Sequence, residues 1–257
     1  MSTPVIDCLM DHRSIRRFKP QPIEDDVLET IITAGTRAAT GGNLQMYTFL
    51  AIDDPDTIAL LKREGVPVMA NTPLVVVALL DLYRIKRWME ASDTQPVVMD
   101  RAIYFFLGFW DATIALQNVV VAAESLGLGT CYVGGILSFD VAKHLGTPEY
   151  VFPAGMVCIG YPHEEPALSM RLPLEAVLHR NSYHLYTDDE IKAFYQQREG
   201  VWDTVSDELR ERLRSQGINS IPQALAVQRF ADQVTARRSK GIVENLRRAG
   251  FRLTVGA

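Results

Sequence analysis

An α+β fold, one mixed central sheet packed with helices and continued by a helical C-terminal extension, is what this sequence predicts. Three observations lead there. Two apolar runs, residues 73–80 and 154–161, are continuous rather than alternating, which is the pattern of strands buried on both faces. Segments with apolar residues at helical spacing alternate with such runs through the first two thirds of the chain. They form too few clean strand–helix–strand units for a doubly wound parallel sheet. Beyond Pro173 the pattern turns irregular and then helical.

Taken in order, Thr3-Pro4 is an N-cap followed by proline in the first turn, opening a short helix that ends near Asp11. A basic segment, His12-Arg13-Ser14-Ile15-Arg16-Arg17-Phe18, comes next, and Lys19-Pro20-Gln21-Pro22 breaks regular structure. Ile23, Val27, Leu28, Ile31, Ile32 and Ala34 recur at helical spacing, so residues 24–36 form a helix; its acidic start complements the helix dipole. The small, polar turn at 39–45 leads into a strand at 47–52, a helix at 53–63 and the buried strand at 73–80. Residues 81–96, with Tyr83, Trp88 and Met89, make a candidate lid or partner-contacting segment.

Residues 100–126 read as one long helix or two abutting ones, apolar around most of the circumference, with Gly127 as the natural stop. Asp111, Gln117, Asn118 and Glu124 interrupt this run, so it is a poor membrane span and a good core or dimer-interface helix. A short strand at 130–133, a helix capped by Ser138 and ending near Leu145, and the strand at 154–161 closed by Pro162 follow. Helical arms are expected at 188–198, 203–214, 222–237 and 241–249. The expected division is a core at 1–185 and a helical extension at 186–257, packed on the core or on a partner subunit.

Composition excludes several classes. With 47% hydrophobic and 22% charged residues, the chain is an ordinary globular one. A net charge of −5 argues against a nucleic-acid binder as a whole, although residues 205–257 carry ten Lys/Arg against five Asp/Glu. Aromatics are scarce between those arginines, so solvated helix faces explain them better than a nucleic-acid patch. Cys8, Cys131 and Cys158 lie far apart with no CxxC pair, which points to a reducing cytosol and to neither disulfides nor zinc. No secretory signal is visible, and a cytoplasmic location is expected.

Chemistry-bearing motifs are few. No GxSxG elbow makes Ser14 a nucleophile, and His144, His163, His179 and His184 lack metal-site spacing. Gly127, Gly129, Gly134 and Gly135 have the wrong spacing and context for a Rossmann fingerprint; they suit a helix stop and a place where backbone approaches a flat ligand. In an extended segment Ser14 and Arg16 converge with His12, and planar guanidinium groups beside a hydroxyl suit a phosphate or a heterocycle edge.

Asp11-His12-Arg13-Ser14-Ile15-Arg16-Arg17-Phe18 resembles the N-terminal signature of the nitroreductase superfamily, in the branch holding the oxygen-insensitive major nitroreductase and NADPH:FMN oxidoreductase. The likeness continues through Thr40-Gly41-Gly42-Asn43-Leu44-Gln45, Ala122-Ala123-Glu124-Ser125-Leu126-Gly127-Leu128-Gly129, Tyr132-Val133-Gly134-Gly135, Gly160-Tyr161-Pro162, Arg171-Leu172-Pro173 and Asn181-Ser182-Tyr183. It covers roughly residues 5–185 in order.

The resemblance implies an FMN site, with NADPH or NADH as co-substrate. His12, Arg13, Ser14 and Arg16 match the loop that holds the flavin's phosphate, ribityl chain and pyrimidine edge. Thr40 stands where the family offers a serine, and Gln45 matches a glutamine near the flavin. Tyr132, Val133, Gly134 and Gly135 match the segment along the ring, and Arg171 matches the arginine of a Lys-Pro-Arg element. The flavin performs the chemistry, so no catalytic acid or base is named, and no metal is expected. A homodimer with FMN at the interface and a nitroaromatic, quinone or flavin acceptor are also implied.

Three departures from the family pattern stand out. Ser169 and Met170 replace the lysine and proline; the basic cluster after residue 195 is thinned to Arg198; and Gly65-Val66-Pro67 lacks the expected glutamine. They leave open a flavoenzyme of other specificity, such as a reductive dehalogenase, or a flavin carrier or sensor without turnover.

Overall fold

The computed structural model describes residues 2–94 and 98–253. The last two residues of the expected 81–96 segment lie outside that range. The chain divides into two compact units: the first runs to Leu168 and resumes at Ser239, and the second is Ser169–Arg238.

The first unit opens with α1 (Pro4–Met10), where the Thr3 hydroxyl accepts from Ile6 N at 3.3 Å as the cap. There follow α2 (Asp25–Gly35), β1 (Tyr47–Ile52), α3 (Pro55–Arg63), β2 (Leu74–Asp81) and α4 (Tyr83–Ala91). Then come α5 (Ala102–Ser125), β3 (Gly129–Tyr132), α6 (Ala142–Leu145) and β4 (Val151–Gly160). The expected lid segment therefore holds a regular helix, α4, with Trp88 exposed on it. The long apolar segment is one uninterrupted helix.

The four strands lie in the order β1-β2-β4-β3, and every ladder is antiparallel. Parallel pairing, expected of a mixed sheet, is confined to the isolated bridges Ser14–Thr130 and Arg17–Ala70 at the margin of the N-terminal segment. Between β2 and β4 the register slips at Ala78/Leu79, opposite Gly155 and Pro153. A proline has no N–H to give a ladder, and a bulge is where a central strand tolerates one.

Strand β2 explains its own unbroken apolar run. Leu74, Val76, Ala78 and Leu80 face one core with α2 and α5, while Val75, Val77 and Leu79 face a second core with Ile58, Leu61 and Val141. Helix α5 is the centre of the first core through Ala112, Ala115, Leu116, Val119, Val120 and Ala123. Its 24 residues are long and apolar enough to cross a membrane by length and composition. Here this face is buried within the protein.

Ser138 does not cap α6. It ends a 3-10 turn, Gly134–Ser138, and its hydroxyl donates to Gly135 O at 2.9 Å, while α6 starts at Ala142 with no side-chain cap. The second unit contains α7 (Asp188–Glu199), closed at its start by a Thr187–Glu190 capping box, then α8 (Val201–Thr204), α9 (Asp207–Arg214) and α10 (Ile221–Gln228). The arms expected at 222–237 and 241–249 are divided elsewhere: α10 stops at Gln228, and α11 (Asp232–Arg248) runs straight through Gly241. Gly241 is there for contact. A Cβ at this position would lie 2.6 Å from Ser138 O, so only glycine lets α11 approach the 3-10 turn this closely.

Candidate cofactor site

The basic segment after α1 is pinned by its apolar residues. Ile15 and Phe18 are buried, Ile15 N donates to Thr130 O at 2.8 Å, and Phe18 N donates to Ala70 O at 3.2 Å. The polar side chains around them, half-buried at His12, Arg13 and Ser14 and exposed at Arg16 and Arg17, each have their own arrangement. His12 Nδ1 donates to Glu124 Oε1 at 2.8 Å. Arg13 pairs with the Asp11 carboxylate and reaches Pro166 O at 3.4 Å. Arg17 Nε is 3.7 Å from Glu164, whose Oε1 accepts from Arg16 N at 2.6 Å and Arg17 N at 3.1 Å. The Arg16 guanidinium touches only Ser14 O, at 3.5 Å, and among the described residues no carboxylate pairs with it. The Ser14 hydroxyl has no protein partner among the described residues.

The turn carrying Thr40 and Gln45 is built on Asp111, a carboxylate 4% exposed in the middle of α5. It accepts from the Thr40 hydroxyl, from Gly41 N at 3.2 Å and from Met46 N at 3.2 Å. Thr40 Oγ1 in turn accepts from Gln45 N at 2.9 Å. Arg84 of α4 closes the turn from outside by donating to Gln45 O and to Tyr47 O, the latter at 3.0 Å. Among the described residues the Gln45 carboxamide meets only Asn43, at 3.5 Å, and Gln45 is exposed.

The third segment follows β3. Val133 is buried and its N–H donates to Met156 O at 2.8 Å. Gly134 and Gly135 start the 3-10 turn, whose first N–H groups have no acceptor within it. A Cβ on Gly134 would meet nothing within 4 Å, so open space borders the backbone there. From beneath, Asn245 of α11, 7% exposed, donates to Leu137 O at 3.0 Å and Phe139 O at 2.9 Å. Tyr132 donates from its hydroxyl to Gln117 Oε1 at 3.2 Å, and burial together with the Glu124 carboxylate pushes its phenol up to about 12. Burial also pushes the Cys131 thiol up, against a smaller pull downward from Arg16.

Of the expected residues, Ser14 pairs directly with Thr130 of the 129–135 segment and His12 is tied to Thr130 through Glu124. Arg13 and Arg16 share only their loop, and Thr40 and Gln45 are joined to each other and through Thr40 to α5. Arg171 lies in the second unit, where it donates to Ser169 O at 3.1 Å and Met170 O at 3.2 Å. One open cleft of about 800 Å³ is lined by Cys8, Asp11, Arg13, Glu124, His163 and Glu164 among others, and takes in only Arg13 from the expected set. Asp111, Glu124, Glu164 and Asn245 organise these segments, although sequence reasoning gave none of them a role in the site. Among the described residues no group of three or more His, Cys, Asp or Glu could hold a metal ion.

Residues 9–161 match the nitroreductase family. The chain belongs to that family. It is 33% identical over 217 residues to the FMN reductase (NADPH) of Bacillus subtilis, covering 80% of this chain and 84% of the relative. The fold is shared with an oxidoreductase from Bacteroides fragilis, at a TM-score of 0.86 and 26% identity, over 95% of this chain and 99% of that one. It is also shared with the NADPH:FMN oxidoreductase of Vibrio harveyi, solved with NAD+, at a TM-score of 0.72 and 25% identity, over 93% and 98% of the two chains.

The residues present fit FMN. An unpaired guanidinium and a free hydroxyl in one loop suit an anionic, hydrogen-bonding ligand, and the bare Gly134 backbone leaves room for a flat ring. Thr40 fits less directly than the resemblance implied. Its hydroxyl hydrogen is committed to Asp111, so toward a ligand it can only accept.

Proposed function

We propose that this chain, an FMN-dependent NAD(P)H oxidoreductase by family, reduces a conjugated acceptor by a ping-pong route. NAD(P)+ would leave before the acceptor binds. Nitroaromatics, quinones and free flavin are the proposed acceptor class. When bound, FMN would supply the two-electron chemistry by which NAD(P)H, H+ and acceptor become NAD(P)+ and reduced acceptor.

The protein's own part is binding and electrostatics. The observation that carries the reading is Arg16: in a loop where Arg13, Arg17 and His12 each face a carboxylate, one guanidinium is left for an anionic partner. A permanent cation there stabilises negative charge on the cofactor more strongly than one already neutralised would. Ser14 would add a hydroxyl, and Gly134 and Gly135 would supply backbone along the ring. Arg171 is proposed as a further cofactor contact.

The relatives' names support NADPH as the donor. Ser169 and Met170, in place of lysine and proline, favour a weaker preference for NADPH over NADH, as does exposed Arg198 standing alone near the end of α7. The three free thiols, Cys8, Cys131 and Cys158, support a cytosolic setting. A homodimer with the cofactor at its interface is part of the proposal.

The test is a spectrum of the purified protein followed by anaerobic addition of NADPH and then NADH. A yellow protein that bleaches is expected, and the two rates give the nicotinamide preference. In parallel, Arg16→Ala is expected to lose its FMN on gel filtration while keeping its circular dichroism. A variant that retains FMN in full would refute the assignment of Arg16.

A further inference from the structure

We infer that Glu124 is a positioning residue for the phosphate of FMN, acting through His12. This rests on the FMN-binding reading above and assigns a role that the sequence signature leaves empty. Glu124 lies in the last turn of α5 with only 14% of its side chain exposed. Both of its oxygens face His12 Nδ1, at 2.8 and 3.1 Å, and Oε1 also accepts from the Thr130 hydroxyl at 2.5 Å. Thr130 is fully buried and forms the bridge with Ser14, so one carboxylate ties α5, the basic loop and β3 together.

Stability alone does not account for a glutamate at this place. The C-terminal end of a helix carries the negative pole of its dipole, and a nearly buried carboxylate loses its hydration. A glutamine could bond Thr130 without either penalty. What a carboxylate adds is a fixed direction for His12. An ionised carboxylate can only accept, so Nδ1 carries a proton, and the Nε2 edge has no protein partner among the described residues. That edge is on the same loop as the free Ser14 hydroxyl and the unpaired Arg16. With a phosphate at Nε2 the ring stands between two anionic groups, its Nδ1–H given to Glu124 and its Nε2 edge turned to the phosphate. It thereby separates two anions that would repel each other and converts the buried charge of Glu124 into grip on the phosphate. A carboxylate behind a ligand-holding histidine is a common device for fixing ring orientation at metal centres.

The experiment compares FMN with riboflavin, which lacks the phosphate, on apoprotein of wild type and Glu124→Gln, by quenching of flavin fluorescence. Loss of a charge-assisted contact is expected to weaken FMN about tenfold while riboflavin stays within about twofold. An equal fall for both ligands would make Glu124 merely structural, and no fall for either would remove its role; each outcome overturns the inference. A wild type that binds neither flavin would instead overturn the functional reading. Should Glu124→Gln fold poorly, His12→Gln keeps the carboxylate and is expected to show the same phosphate-selective loss. In the double variant the losses are expected not to add, because both act through one contact. Additive losses would refute the coupling.

Discussion

Asp111 gives the sharpest test of how this fold holds its site. Replacing it with alanine removes the acceptor for three donors: the Thr40 hydroxyl, Gly41 N and Met46 N. They do not suffer equally. Gly41 is exposed and Thr40 partly so, and water can satisfy both at little cost. Met46 is 1% exposed, and an orphaned buried N–H costs about 1–3 kcal/mol. Removing a buried carboxylate also relieves its own desolvation, which offsets part of the loss. The expected net destabilisation is about 1–2 kcal/mol for Asp111→Ala. Asp111→Asn keeps the shape: its carbonyl oxygen can serve Thr40 and Met46 while its NH2 faces exposed Gly41, at a cost of about 1 kcal/mol. Urea unfolding of the apoproteins measures both, because bound flavin would add stabilisation to the native state and mask the difference. Flavin content of the same preparations is expected to fall in the order wild type, Asn, Ala. Asp111→Ala within about 0.5 kcal/mol of wild type, with full flavin content, would refute the claim that this carboxylate builds the 40–46 turn.

Two further outcomes are expected. Gly241→Ala places a methyl 2.6 Å from Ser138 O, a backbone atom that cannot swing aside, and is expected to cost about 1–3 kcal/mol in urea unfolding; a neutral substitution would mean α11 does not brace the 134–138 turn. Tyr132, with its phenol pushed up to about 12, is expected to keep its proton where an unfolded tyrosine, near 10, has lost it. The folded state then holds more protons between those two values, so this contribution to stability falls as pH rises through that window. The ring is 40% exposed, which discounts the effect to about 1 kcal/mol. The difference titration of wild type against Tyr132→Phe at 295 nm checks it, and a missing tyrosine that titrated near 10 would contradict the assigned environment.

Local periodicity was enough to place most of the elements of the first unit. The continuous run of β2 is apolar because its alternate residues serve two separate cores, and that requirement is written in the residues themselves. What local pattern could not carry was long-range partnership. The basic loop offers His12, Arg13, Ser14, Arg16 and Arg17 on equal terms, yet which of them is neutralised depends on carboxylates far along the chain. Glu124 is 112 positions from His12, and Glu164 is 148 from Arg16. Gly241 misled for the same reason: a glycine in a helical stretch reads as a break until the carbonyl of Ser138 is known to sit against it. One signal was available. The polar residues that interrupt α5 look like exceptions to a core helix, and three of them hold the site's segments: Asp111 the Thr40 turn, Gln117 the Tyr132 hydroxyl, Glu124 the His12 loop.

The remaining face of α5 bears on assembly. Ile103, Phe106, Trp110 and Ile114 recur at spacings of three and four, so they share one stripe, and they are 59%, 52%, 59% and 46% exposed. The opposite side of the same helix packs on the sheet, which leaves α5 apolar for two unrelated reasons: one face is core, and the other is uncovered within this chain. A bilayer would accept neither Asp111 nor Glu124, and both are occupied by donors from the protein itself. A second copy of the chain is the occupant consistent with the proposed dimer. Trp110→Glu puts a charge at the centre of the stripe without touching the core, and sedimentation is expected to shift toward monomer. If the cofactor lies at the interface, flavin content should fall with dimer content across a dilution series of the variant, since the site would be incomplete in one chain. A Trp110→Glu protein that sediments as a dimer would remove this stripe from the interface. A monomer that keeps its flavin would place the whole cofactor site within a single chain.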